Sequence, residues 1–171
     1  MIELLKPAPD FTAFAFRDGR FAPVTLSSFQ GQWVVLFFYP RDFSYVCPTE
    51  ILELSRRAPE FAALGVQLLG ISCDSEFSHR AWAAELGEVA FPLVADFDKA
   101  ISRDYGVLLE GGFPARATCI LDADRVLQHM SATSPNVGRS IAELLRLVEA
   151  LQIGALTPAE WHRGEPTLEE R

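Results

Sequence analysis

The chemistry available to this sequence centres on one cysteine. Cys47 lies nine residues after the apolar run Trp33–Phe38 and just before a stretch with helical spacing, so we expect it where a strand is followed by a helix. With Ser44 as the N-cap, the sulfur would lie in the first helical turn. Free backbone N–H groups and the helix dipole stabilise a nucleophilic thiolate there. The alternative is a small residue buried in the core.

The elements that must position Cys47 alternate between strands and helices. Trp33–Phe38 and Val66–Ile71 have few polar breaks, which is typical of strands covered on both faces of a sheet. Apolar residues at helical spacing follow each of them, from Ile51 to Phe61 and from Glu76 to Leu86. Pro59 lies inside the first of these helices, and because proline clashes one turn back we expect a kink or a break just before it.

Antiparallel elements flank this alternating core. Phe11–Phe16 precedes Asp18-Gly19, a hairpin turn signal, and a short connection joins Ala117–Leu121 to Val126–Met130. Ser140–Glu143 reads as a capping box that opens an amphipathic helix. The order predicts an α/β, thioredoxin-like fold with a mixed central sheet, helices on both faces, an N-terminal hairpin and a C-terminal arm.

Composition predicts one acidic, soluble domain. The chain has 171 residues and a net charge of -8, and no basic stripe suggests nucleic-acid binding. We expect a domain over residues 1–153 and an arm or poorly ordered tail over residues 154–171. No apolar run approaches the length of about 20 residues that spans a bilayer, and no signal peptide is recognisable, so we expect no membrane association and a cytoplasmic location. Three cysteines suit free thiols in a reducing compartment.

The segment FFYPRDFSYVCPTE, residues 37–50, closely resembles the active-site segment of the peroxiredoxins. Pro40, Ser44 and Cys47 fit that family's signature in its serine form. The similarity is greatest to the alkyl hydroperoxide reductase or typical 2-Cys branch and covers nearly the whole chain. It continues through DSEFSHRAW (74–82), DYGVL (104–108), ARATCILD (115–122), NVGRS (136–140) and TPAEWHRGE (157–165).

The resemblance implies a thiol-dependent peroxidase that reduces hydrogen peroxide and organic hydroperoxides through a sulfenic acid on Cys47. It assigns Arg116 as the cation beside the thiolate and the peroxide, Ser44 and the backbone N–H of Cys47 as further donors, and Pro40 as a cover that excludes water. It implies neither a cofactor nor a metal. Judged without the motif, Arg116 would more simply pair with a surface carboxylate.

Glu50 and Arg139 match the family residues that orient the first arginine. Their alternative is an ion pair of the scaffold, so we expect them one layer behind the reacting atoms. The three histidines, at positions 79, 129 and 162, give no metal-ligand spacing with a cysteine pair.

The chain departs from its family in the C-terminal arm, where Thr157 occupies the position of the resolving cysteine. We therefore predict a 1-Cys mechanism that uses an external thiol or a thioredoxin- or glutaredoxin-like reductant. Cys119 should face away from Arg116 on its strand. Cys73, near a strand end, is the less favoured alternative for resolving Cys47.

Two other functions remain open at this point. One is a peroxide sensor or chaperone-like oligomer switched by oxidation of Cys47. The other is a thioredoxin-like disulfide oxidoreductase, which would need a CxxC pair, but Glu50 stands at the second position. The family also implies a homodimer or a ring of dimers, with Phe43 and Phe77 near the contacts.

Overall fold

A computed structural model describes residues 2–168 of the chain. It contains a seven-stranded sheet and four α-helices within those residues. The elements are β1 (Thr12–Arg17), β2 (Arg20–Thr25), β3 (Trp33–Phe38), α1 (Cys47–Ala63), β4 (Val66–Ser72), α2 (Glu76–Leu86), β5 (Leu93–Ala95), α3 (Ala100–Asp104), β6 (Arg116–Leu121), β7 (Leu127–Thr133) and α4 (Ile141–Ile153).

The sheet is mixed, as predicted. Its strand order is β2-β1-β5-β4-β3-β6-β7. β3 pairs in parallel with β4 and antiparallel with β6, while β1 and β2 form the N-terminal hairpin. Asp18 and Gly19 at its turn both have positive φ, of 50° and 76°, which is why a Gly at the second position suits this hairpin. β3 is thus an interior strand, and the loop that leaves it leads to Cys47.

Alternation along β3 divides the core between the two faces of the sheet. Val34, Leu36 and Phe38 belong to a buried cluster that also includes Ile101 of α3. The next residue, Tyr39, has the opposite orientation and stacks on Trp82 of α2, with ring centroids 5.6 Å apart. Helices therefore lie on both faces, which confirms the predicted thioredoxin-like architecture.

Of the kink or break predicted near Ala58, the break is wrong. α1 runs without interruption from Cys47 to Ala63, although Pro59 has no N–H to donate to the carbonyl of Ser55. Ile51, Leu54 and Phe61 are fully buried on this helix. The burial of its apolar face on both sides of the proline outweighs the lost hydrogen bond.

The chain packs as two compact units, one ending at Arg139 and the other beginning at Ser140. In the second, Ser140 Oγ accepts a hydrogen bond from the N–H of Glu143, which confirms the predicted cap of α4. The alternative of a poorly ordered tail is wrong for the described residues: Trp161 is buried, and Leu156 bridges Leu168 in an antiparallel contact. Residues 169–171 of the predicted arm lie outside the described part.

No helix within residues 2–168 is long and apolar enough to cross a membrane.

Candidate active site

Cys47 is the first residue of α1 and is completely buried. The predicted N-cap is wrong, because Val46 occupies that position and makes no side-chain cap. Instead, the hydroxyl of Ser44 donates a hydrogen bond of 3.0 Å to the carbonyl of Arg41, inside the loop between β3 and α1. Its side chain therefore braces the loop rather than the helix, and the oxygen keeps its capacity to accept a hydrogen bond.

Arg116, the first residue of β6, reaches the sulfur. Its Nη1 donates to Cys47 Sγ at 3.2 Å and to Glu50 Oε2 at 2.7 Å, while its Nε donates to the carbonyl of Pro135 at 2.8 Å. The side chain is only 3% exposed. The surface ion pair favoured without the motif is therefore wrong, because the carboxylate that Arg116 meets, Glu50, is buried. Three acceptors, two on α1 and one in the segment after β7, fix the plane of the guanidinium, and its charge lies beside the sulfur.

Glu50 holds two arginines at once. Besides Arg116, it accepts hydrogen bonds from Arg139: from its backbone N–H and Nε on Oε1, at 2.8 Å and 2.9 Å, and from Nη2 on Oε2, at 3.0 Å. Arg139 also donates Nη1 to the carbonyl of Ala117, at 2.7 Å, and its guanidinium lies 3.4 Å from the ring centroid of Phe37. Glu50 thus forms ion pairs with both arginines, and through it Arg139 and Arg116 belong to one buried cluster.

Burial and charge act in opposite directions on this ion pair. Burial by itself raises the pKa of Glu50, but the hydrogen bonds and charge of Arg139, together with the charge of Arg116, leave that pKa lowered. Burial lowers the pKa of Arg139, against the raising effect of its bonds to Glu50. An arginine remains protonated at neutral pH despite such a shift. The site therefore contains two cations, one carboxylate and one sulfur, all of them buried.

An open pocket of about 490 Å3 leads to Arg116. Pro40 and Ser44 form part of its wall on the loop side, and Phe113 faces them. No described residue accepts a hydrogen bond from Nη2 of Arg116, so this donor is available to a molecule in the pocket. The structure thus brings together all six of the predicted site residues: Cys47, Arg116, Pro40, Ser44, Glu50 and Arg139.

The family is decided by comparison with known proteins. The sequence model described as "AhpC/TSA family" matches residues 4–130. The chain belongs to the AhpC/TSA family. It is 45% identical to Peroxiredoxin-2 of Cricetulus griseus, over 95% of this chain and 88% of that protein. It is 46% identical to Peroxiredoxin prdx-2 of Caenorhabditis elegans, over 95% and 87%.

The fold is also that of the AhpC/TSA family. The crystal structure of the reduced 2-Cys peroxiredoxin of Plasmodium vivax superposes with a TM-score of 0.93 and 37% identity, over 95% of this chain and 91% of that one. These similarities confirm the predicted fold and the prediction of a thiol-dependent peroxidase. The alternative of a disulfide oxidoreductase loses its basis, because Glu50, at the position a second cysteine would need, is engaged by two arginines.

A second buried network braces the loop of this AhpC/TSA family member, and sequence reasoning missed it. The carboxylate of Asp42 accepts hydrogen bonds from the hydroxyl groups of Tyr39, at 2.9 Å, and Ser78, at 2.8 Å. It also lies 2.8 Å from Nδ1 of His79. The N–H of Asp42 donates to Asp74 at 2.9 Å. Burial, and then the charge of Asp42, raise the pKa of Tyr39 well above its ordinary value, so its hydroxyl stays a donor. Two features of the sequence could have indicated this network: Asp42 inside the motif, and His79 in the segment that forms α2.

The other two thiols lie outside the site. Cys119 belongs to the buried cluster on the face of β6 opposite Arg116, as predicted, and burial raises its pKa to about 12. Cys73 lies 3.9 Å from Asp96 and 3.7 Å from the hydroxyl of Ser102, and burial is the main cause that raises its pKa to about 11. Both thiols stay protonated at neutral pH and are poor nucleophiles. Within residues 2–168 no cluster of His, Cys, Asp and Glu side chains could hold a metal ion.

Proposed function

We propose that Cys47 is the peroxide-reacting residue and that Arg116 activates both reactants. The observation that carries this proposal is the 3.2 Å contact between Arg116 Nη1 and Cys47 Sγ, in a buried site that a pocket reaches. A cation fixed beside a sulfur favours the thiolate over the thiol, and the thiolate is the form that attacks. A donor fixed before reaction also stabilises the charge that develops on the departing oxygen.

In the first step the thiolate attacks the terminal oxygen of a hydroperoxide, ROOH. An S–O bond forms and the O–O bond breaks, which leaves a sulfenic acid on Cys47 and an alkoxide, RO⁻, that takes a proton from solvent. The sulfur is oxidised and the peroxide is reduced to alcohol, or to water when R is hydrogen. Nη2 of Arg116 is placed to bind a peroxide oxygen.

The remaining site residues support this step by position. The hydroxyl of Ser44 donates its hydrogen bond to the carbonyl of Arg41, so its oxygen is free to accept a hydrogen bond from the O–H of the peroxide. Pro40 forms part of the pocket wall and limits the access of water to the sulfur. Glu50 and Arg139 hold the guanidinium of Arg116 in its plane.

The second half of the cycle uses an external thiol, R′SH. Thr157 stands where the resolving cysteine of the 2-Cys branch would be, and the raised pKa values of Cys73 and Cys119 disfavour both as intrachain partners. The first R′SH condenses with the sulfenic acid, releases water and leaves a mixed disulfide. A second R′SH displaces Cys47 as thiolate and forms R′SSR′, so two thiols are consumed for each hydroperoxide.

The proposed reductant is a low-mass thiol or a thioredoxin- or glutaredoxin-like protein in a reducing compartment such as the cytoplasm. Three unpaired cysteines agree with that setting. We also propose a homodimer or a ring of dimers in which residues 154–171 act as an arm. Phe43 and Phe77 are 53% and 58% exposed, and aromatic side chains this exposed are common at interfaces. Analytical ultracentrifugation measures the assembly, and a monomer at all concentrations would contradict it.

One set of experiments tests the cycle. We expect the protein to consume hydrogen peroxide catalytically with added thiol, and Cys47→Ser to abolish this, while Cys73→Ser and Cys119→Ser retain it. One turnover followed by arrest, whatever thiol is supplied, would favour a sensor instead. Mass spectrometry after one equivalent of peroxide should find sulfenic acid on Cys47 in chains that carry no disulfide link. An intrachain disulfide from Cys47 to Cys73 or Cys119 would rule out the external-thiol cycle.

A further inference from the structure

Arg41 presents a cation at the mouth of the active-site pocket. It lies between Pro40 and Asp42 in the loop before α1, and its side chain is exposed. Its guanidinium is 4.7 Å from the ring centroid of Phe113, across the pocket. Within residues 2–168 its side chain forms no ion pair and donates no hydrogen bond. The charge is therefore held in place by an aromatic face and is available to a ligand.

The pocket is positive although the chain is acidic. The protein has 23 Asp and Glu residues against 15 Lys and Arg, yet no carboxylate from residues 2–168 lines this pocket, whereas Arg41 and Arg116 both do. Glu50 already neutralises part of the charge of Arg116, from the buried side. Arg41 has no such partner, so it supplies the unbalanced charge at the entrance.

The rest of the wall is mostly apolar, apart from Ser44 and Asn136. Pro40, Tyr45, Val46 and Phe113 contribute to it, and Tyr45 is 96% exposed. A molecule that fits this lining carries an anionic group for Arg41, an apolar or flexible body, and a reactive end that reaches Arg116. The hydrogen bond from Ser44 Oγ to the carbonyl of Arg41 fixes the backbone of Arg41 beside Ser44, which also lines the pocket.

We propose that Arg41 is a specificity-determining residue that selects substrates bearing a carboxylate. This inference rests on the proposed peroxidase function and names the chemical class that the same pocket prefers. The carboxylate can be carried by the hydroperoxide, as in a fatty-acid hydroperoxide, or by the reducing thiol. In both cases an ion pair with Arg41 holds the molecule while its reactive atom approaches the sulfur beside Arg116.

Matched pairs of substrates test the inference. For the hydroperoxide, the pair is a long-chain hydroperoxy acid and its methyl ester; for the thiol, it is mercaptopropionate and mercaptoethanol, with hydrogen peroxide as oxidant. The measured quantity is the ratio of kcat/KM between the charged and the uncharged member. Comparing this ratio in the wild type and in Arg41→Gln cancels the intrinsic reactivity of each compound.

We expect Arg41→Gln to lower the ratio about twofold to fivefold in one of the two pairs, the range of an exposed ion pair. The pair that responds identifies which substrate carries the carboxylate. Arg41→Lys should keep most of the preference, and added salt should weaken it in the wild type. The matched control is Arg20→Gln, which removes an exposed positive charge that does not line this pocket.

Two results would overturn the inference: an unchanged ratio in both pairs, or an equal fall in Arg20→Gln. Failure of the proposed function has a different signature. In that case the wild type does not turn over hydrogen peroxide with mercaptoethanol, and neither of these two compounds carries a carboxylate.

Discussion

Replacement of Glu50 by glutamine removes the charge that two buried arginines share. The carboxylate accepts one hydrogen bond from Arg116 and three from Arg139, at 2.7 to 3.0 Å. Glutamine has nearly the same shape but only one acceptor oxygen, so its NH2 group must face arginine donors. Both guanidinium groups then remain buried without their carboxylate.

Breaking a buried ion pair by removing one partner costs about 3–5 kcal/mol. We expect Glu50→Gln to lower the free energy of unfolding by that amount in urea titrations. Because each kcal/mol shifts Tm by about 2–4 °C for a chain of this length, the loss in Tm should be about 6–20 °C. The matched control is Glu53→Gln: it lies on the same helix, and its pairing with Arg56 is exposed, so its loss should change stability little.

The pH dependence of this effect has a definite sign. Since the pKa of Glu50 is lowered on folding, its carboxylate contributes fully above the unfolded value of about 4.3 and loses that contribution as pH falls through the folded pKa. The stability gap between wild type and Glu50→Gln should stay constant from neutral pH to about pH 5 and shrink below about pH 4. A gap of unchanged size in acid, or a variant no less stable than Glu53→Gln, would refute the reasoning.

Two further predictions concern the cation and a distant thiol. Arg116→Lys should lower the rate constant for hydrogen peroxide by about 10²–10³, because one ammonium cannot serve Cys47, Glu50 and the Pro135 carbonyl together. Competition kinetics measures this, and a loss below about tenfold would contradict it. In the folded protein Cys73, with its pKa raised to about 11, should be alkylated slowly at neutral pH and faster only in strong alkali. Rapid alkylation at neutral pH, measured by mass spectrometry, would contradict the raised pKa of Cys73.

Local patterns predicted most of the scaffold. The apolar run Trp33–Phe38 became β3 without change, and Glu76–Leu86 became α2. The error at Pro59 has a physical reason: a proline inside a helix is judged from local sterics, while the burial of Phe61 and Leu54 depends on the tertiary fold. Ser44 is a similar case, since a carbonyl three residues earlier, that of Arg41, competed for its hydroxyl.

The site was less accessible to local reasoning. Arg116 lies 69 residues from Cys47 and 66 from Glu50, and no periodicity relates them. Only the resemblance to the family predicted that Arg116, Cys47 and Glu50 share one site. Without that resemblance, a surface ion pair was the favoured role for Arg116. The brace at Asp42 and the cation at Arg41 lie inside the quoted motif, but their partners, His79 and Phe113, lie on distant segments.

The hydrogen-bond network around Asp42 determines how the loop before Cys47 can open. The carboxylate of Asp42 is held by Tyr39, Ser78 and His79, and it lies only five residues before Cys47. A buried charge cannot lose one such partner at a time without a large penalty, so gradual fraying of the loop is disfavoured. We expect the loop before Cys47 to open in rare, concerted events. Hydrogen exchange of the loop amides should then show one shared opening free energy, and a graded series along the loop would contradict it.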